Sequence, residues 1–361
     1  MKNVSPPSVL LDFLNDSKGS IARFSPQQWS LLVRQARATN LLSRVASRVC
    51  QSDELSHLPG KIMTQLNSAN TVGASSARSV KWEVKEVAGV LAELSIPCLL
   101  LKGAAYEMAN LPPAAGRLFA DVDIMVSHCD IQAAERSFIV KGWTATKLNA
   151  YDQKYYRKWM HEIPPLLHRD RSTLLDVHHT ILPPTAGPKP DVQLLWSSAV
   201  ELEGFSNVYM LAPEDMVLHS AAHLFHDGDL AGGLRDLVDL DGLLRHFGTD
   251  PAFIGNLFRR AQVMGLWRPL YYALRYCGGY LNTPLSPENR VESERCGAPN
   301  AAVVAIMDFL VGQAFYPRVE SREPRLAGFT NWLLYVRSHY LRMPLYLLLP
   351  HLLRKALRSE D

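Results

Sequence analysis

LKGAAYEMANLPPAAGRLFADVDIMV, residues 101–126, is the stretch whose reading decides the fold of this chain. The apolar run leading into it, IPCLLLKG, closes on Lys102-Gly103 and reads as a buried strand. AAYEMAN then has the texture of a two-turn helix, LPPAAG that of a loop, and FADVDIMV that of a second strand. Asp121 and Asp123 sit one residue apart in that second strand. Strand side chains alternate, so residues i and i+2 project from the same face. Two like charges on one face of an apolar strand are costly unless a cation or water lies against them. Mg²⁺ suits such a pair, because it takes carboxylate oxygens, keeps some of its waters and completes its shell with substrate phosphates.

Downstream, CDIQAAERSFIVKGW returns to helical spacing, and KYYRKWMHEIPPLLHR and STLLDVHHTIL read as two further strands joined by the turn RDRS. Strand, helix, strand, helix and two neighbouring strands make a small α/β unit. Asp176, an aspartate in the apolar run LLDVHH, is the candidate third carboxylate. Three such groups can hold two ions that clamp the attacking and leaving oxygens of a displacement. Gly103 stands at a strand-to-helix junction, where backbone N–H groups can hold a phosphate. Of the two neighbouring histidines, His178 shares the face of Asp176, and His179 points the other way.

Glycine after a strand, a helix, DxD on a strand and a third aspartate on a later strand resembles the nucleotidyltransferase superfamily that includes DNA polymerase β. More narrowly, LLKGAAYEMANLPPAAGRLFADVDIMV followed by LLDVHHTIL resembles a bacterial branch of uncharacterised nucleotidyltransferases. The likeness covers residues 101–182 closely and the helical remainder more loosely. It implies an α+β fold, a small mixed-sheet core flanked by helical regions. It implies Mg²⁺ as cofactor, bound by Asp121, Asp123 and Asp176, with Asp176 also helping to activate the attacking hydroxyl. Gly103 and Ala104 would hold the triphosphate through the backbone, with Lys102 and Arg117 as charge partners. In place of the usual Ser or Gly, Ala104 offers only its N–H. His178, His223 and Asp239 are candidates for acceptor contact or for support of the site. The partners implied are an NTP, ATP among them, and an acceptor that no motif identifies.

The rest of the chain reads as helix. In FSPQQWSLLVRQARATNLLSRVASRV, Ser25 can cap, Pro26 takes the first helical position, and Gln28 completes a capping box. A second stretch over about 61–95 meets Pro97. The Pro- and Gly-rich LPPTAGPKPD, 182–191, reads as a linker, and helical patterns resume beyond it. The expected division is 1–94 helical, 95–182 nucleotidyltransferase core, and 191–361 a helical domain.

Other features compete for the function. His219, His223 and His226-Asp227, with Asp236 or Asp239 beyond, imitate the series found in metal-dependent phosphohydrolases, and their i, i+4, i+7 spacing puts the three histidines on one helix face. A degenerate core that only binds nucleotide or a partner is the other alternative. Basic residues at Arg337, Arg342, Arg354, Lys355 and Arg358 alternate with leucines and tyrosines in the tail. Such a stretch can make weak contact with an anionic membrane surface, or pack on its own domain with arginines reaching out to water. Pro344 and Pro350 are expected to break any long helix there. A net charge of +3 on 361 residues is too slight to demand nucleic acid, so no specific nucleic-acid partner is expected. Five scattered cysteines without a CxxC, and a start without a signal-peptide core, suit a reducing, cytoplasmic setting.

Overall fold

The computed structural model of the protein describes residues 8–15, 24–51, 58–146, 149–227, 230–317, 319 and 327–358. The segment before Ser8 and the side chains of Asp227, Arg354, Lys355 and Arg358, on which sequence expectations also fall, lie outside the described residues. The N-terminal region comprises α1 (Val9–Asn15), α2 (Pro26–Ala38), α3 (Leu42–Cys50) and the long α4 (Gly60–Ala92). The sheet region runs β1 (Cys98–Leu100), α5 (Lys102–Met108), a 3₁₀ turn (Pro112–Ala114), β2 (Asp121–Met125), α6 (Ile131–Val140), β3 (Trp143–Ala145), α7 (Ala150–Trp159), β4 (Leu166–His168) and β5 (Leu174–His178). It closes with α8 (Val192–Ser198), β6 (Val200–Glu201) and β7 (Val208–Met210). Then come α9 (Pro213–Ala222), prolonged by a π-helical turn (His223–Asp227), α10 (Leu234–Phe247), α11 (Phe253–Met264) and α12 (Trp267–Leu281). The chain continues through α13 (Pro287–Gly297), α14 (Ala301–Ala314), α15 (Ala327–Arg342) and α16 (Leu345–Arg358).

The fold is α+β, as the sequence implies. One mixed sheet has the order β3-β4-β5-β2-β1-β7-β6. β2 is parallel to β5 and antiparallel to β1, which in turn is parallel to β7. The alternation of side chains splits the sheet between two cores. Cys98, Leu100, Val122, Ile124, Leu175 and Val177 pack with Val84, Val87 and Leu91 of α4 and Phe138 of α6. Leu99, Leu101 and Met125 turn to the opposite face and join the core of the C-terminal helices. Fully burying an aliphatic side chain of this kind is worth roughly 1.5–3 kcal/mol, so the α4/α6 face fixes which way β2 and β5 present their odd-one-out polar residues.

α2 begins as its capping box demands: the Ser25 side chain accepts from Gln28 N, and the Gln28 side chain accepts from Ser25 N. Other elements differ from the sequence reading. KYYRKW is not a strand but the body of α7, capped by the Asn149 side chain. Tyr151, Tyr155 and Trp159 fall on one side of that helix, and Tyr155 and Met160 pack against Met343 and Leu348. The strand expected there shrinks to Leu166–His168, after Pro164 and Pro165, which cannot donate to a ladder. β3, β6 and β7 are strands of two or three residues that carry no visible alternation. Two of the seven strands thus come from beyond residue 191. Pro350 sits inside α16 and does not end it, whereas Pro344 lies in the break between α15 and α16. Among the described residues no single helix is long and apolar enough to cross a membrane.

Candidate active site

The polar face of β2 and β5 opens on a cleft of about 280 Å³. Asp123 and Asp176 are direct partners in the parallel register of β2 and β5, so they stand side by side; Asp121 lies two residues back on β2. His178 is two residues beyond Asp176 on the same face. The neighbouring strand β1 ends at this point, and Leu101 N donates to Asp123 O at 3.0 Å. That brings Lys102 over the carboxylates, its Nζ 3.3 Å from Asp123 Oδ1. All five side chains line the cleft.

The electrostatics are crowded. Burial and the neighbouring Asp123 raise the Asp121 carboxyl. Burial, then Asp123 and Asp121, push Asp176 up to about 7. Burial opposes charge on Asp123 as well, but Lys102 and a hydrogen bond from His178 hold it well below the usual carboxylate range. His178 Nε2 is 3.1 Å from Asp123 Oδ1. Burial would lower Lys102, yet the surrounding Asp123, Asp121, Glu162 and Asp176 outweigh it and keep the ammonium above its ordinary value. Asp176 Oδ1 is buried with no hydrogen-bond partner. Three carboxylates against one close ammonium, one oxygen of them unsatisfied, are a donor set that fits a hard divalent cation.

Lys102 also carries the strain of the junction. Its φ is 42°, in the left-handed region that disfavours residues with a Cβ. Gly103 is glycine for a different reason: a Cβ there would meet Arg117, with Cζ only 2.8 Å away. Arg117 is 8% exposed and is pinned behind by Asp239, which accepts from its Nε at 2.9 Å. The other Asp239 oxygen accepts from Arg44 Nη2 of α3 at 2.6 Å, and Arg44 also bonds Pro113 O. Asp239 is therefore the anchor of Arg117, and through it α3, α10 and the loop before β2 are tied together. Ala104 is buried in the first turn of α5, where no side chain caps the helix.

The cleft also takes side chains that the sequence did not single out as a group. His161 and Glu162 enter from the segment between α7 and β4, Tyr106 from α5, and Ser220, Arg235, Asp236 and Arg342 from the C-terminal helices. Burial opposes charge on Asp236, but Arg235 and then His223 hold its carboxyl low. Arg342 arrives because the tail packs inward: Thr185 donates to Arg342 O at 2.6 Å, and Arg337 donates to Phe225 O at 2.9 Å. Trp332, Tyr340 and Tyr346 remain exposed. Of the α9 histidines, His223 lines the cleft, and His219 is buried, with burial and then Lys102 holding it neutral. His226 is buried as well. Among the described residues the one His/Cys/Asp/Glu group whose ligand atoms converge is His161, Glu162 and His178, which includes none of those three.

Compared with known families, the chain matches the model described as "Uncharacterised nucleotidyltransferase" over residues 25–282, some seven-tenths of its length. No match is found among the curated proteins.

Proposed function

Because the chain belongs to the uncharacterised nucleotidyltransferase family, we propose that its cleft moves a nucleotidyl group from an NTP to an acceptor nucleophile and releases pyrophosphate. The observation that carries this reading is the register that sets Asp123 beside Asp176 with Asp121 on the same face. Asp121, Asp123 and Asp176 would hold Mg²⁺, and the unsatisfied Asp176 Oδ1 supports the fit. When bound, the ion would neutralise charge on the phosphate oxygens.

The other roles follow from position. Lys102 and Arg117 are the cations nearest the carboxylates and the Gly103 backbone, where N–H groups of Gly103 and Ala104 can meet the triphosphate. Asp176 takes the proton of the acceptor hydroxyl; the acceptor oxygen forms a bond to the α-phosphorus, the bond from that phosphorus to the oxygen bridging to the β-phosphate breaks, and pyrophosphate leaves. In the metal-free cleft burial and the neighbouring carboxylates raise Asp176, the direction that favours taking up a proton. His178, which bonds Asp123, and His223, which lines the cleft, are the candidates to contact the acceptor. Catalysis would rest on positioning and electrostatics.

The test is calorimetric titration of each NTP with Mg²⁺ into wild type and the Asp121→Asn, Asp123→Asn double variant, alongside pyrophosphate release. The amide introduced by Asp123→Asn retains an acceptor for Lys102 and His178, so the fold is expected to survive. Mg²⁺-dependent binding that weakens in the variant supports the reading. Undiminished binding or transfer by the variant sinks it.

A further inference from the structure

We propose that His161, Glu162 and His178 form a second cation site, of the zinc class, beside the carboxylate trio. The proposal stands whether or not the cleft transfers nucleotides. One ring nitrogen from each histidine and one carboxylate oxygen of Glu162 lie within 4.8 Å of one another. His178 Nε2 is 3.5 Å from Glu162 Oε2. Ligands about 2.0–2.1 Å from a tetrahedral ion stand roughly 3.3–3.4 Å apart, so this edge needs little adjustment.

The backbone holds the three residues in place. Glu162 and His178 form an isolated antiparallel bridge, His179 N donates to His161 O at 2.8 Å, and Ile163 N donates to Val177 O at 3.1 Å. The two imidazoles lie 5.0 Å apart, tilted by 35°. His178 is 1% exposed, so an ion held by its ring would be shielded from bulk water on that side.

The donor chemistry selects the ion. Two imidazoles and one carboxylate suit zinc and its neighbours, whereas Mg²⁺ prefers an all-oxygen shell. Three protein ligands with the remaining position facing a cleft is the arrangement of a zinc that binds an exchangeable water or a substrate oxygen. His178 Nε2 is also the atom that bonds Asp123, so an ion taken up through it would displace that hydrogen bond and sit next to the carboxylates.

The test uses the full chain, stripped with chelator and titrated with Co²⁺ alone in excess Mg²⁺, followed by visible absorption. One Co²⁺ per chain is expected, with the intense bands of a nitrogen-containing low-coordinate site. Losing a ligand should weaken it by at least the roughly 10–100-fold that an outer partner is worth, so Glu162→Gln should show that loss while Asp121→Asn keeps the bands. The inference is overturned if the bands never form, or if Glu162→Gln keeps them and Asp121→Asn loses them. Should Glu162→Gln fail to fold, ring-proton NMR of wild type decides. Zn²⁺ must shift both His161 and His178, and unmoved rings refute the site.

Discussion

Asp239→Ala tests the scaffolding of the cleft most directly. Asp239 is 3% exposed and neutralises two guanidinium groups, Arg117 at 2.9 Å and Arg44 at 2.6 Å. Removing its carboxylate leaves both cations against the 3₁₀ turn and α10 without their shared counter-ion. Breaking a buried pair by deleting one partner costs about 3–5 kcal/mol. Two features hold the estimate at the lower end. Arg44 keeps its bond to Pro113 O, and Asp236 lies close enough to favour charge on Arg117. The expected loss is therefore about 3 kcal/mol, a factor of roughly 150 in the folding equilibrium. Urea unfolding followed by circular dichroism measures it, with Asp239→Asn losing less because one acceptor survives. A combined Arg44→Met, Asp239→Ala variant should lose less than the sum of its parts, since the charge left behind is gone. A loss below about 1 kcal/mol for Asp239→Ala, with an additive double variant, would refute the claim that this carboxylate anchors the cleft.

Three further outcomes follow from the same geometry. Asp176 has a folded-state pKa of about 7, above its unfolded value, so the folded chain holds that proton more tightly and loses stability as pH rises from about 4 to 7. Asp176→Asn should accordingly raise the thermal midpoint of the metal-free protein at pH 8 and leave it nearly unchanged at pH 4; equal shifts at both would contradict this. Burial and the adjacent His128 lower His179 to about 4, so its contribution is complete above about 6.5 and fades as pH falls towards 4. His179→Gln should flatten that acid-side decline in a pH series of melting curves. Gly103→Ala would drive a methyl into the Arg117 guanidinium, which Asp239 keeps from swinging away, and should cost about 1–3 kcal/mol in chemical denaturation. Wild-type stability for Gly103→Ala would mean that Arg117 can move.

Much of the site was legible because strand alternation is a local rule. Asp121 and Asp123 had to share a face, His178 had to share that of Asp176, and the apolar neighbours of each told which face was core. The pairing of β2 with β5, which sets Asp123 beside Asp176, is a long-range fact that no window on the sequence contains. His161 and Glu162 escaped notice because their segment carries an aromatic-rich run that looks like strand. The aromatics instead form one side of α7, at spacings of four residues, where they pack on the tail. β6 and β7 are too short to show a period, and their place in the sheet comes from pairing with β1. Arg117 was legible as a candidate cation near the Gly103 junction. Its partner Asp239, in α10, was legible as a candidate for acceptor contact or for support of the site, but nothing local in the sequence joined it to Arg117.

The position of β7 bears on the order in which the chain can be built. β1 has β2 on one side, where Leu100 meets Ile124, and β7 on the other, where Cys98 meets Val208. As the chain is synthesised, one edge of β1 therefore stays bare long after β2 has covered the other. An unpaired apolar edge is a site for misassociation, and distant pairings form slowly. The Arg44–Asp239 link spans still more of the chain. Emerging protein should thus hold its carboxylate face half-walled until α10 has left the ribosome, and truncation ahead of Asp239 should yield an aggregating fragment rather than a minimal enzyme.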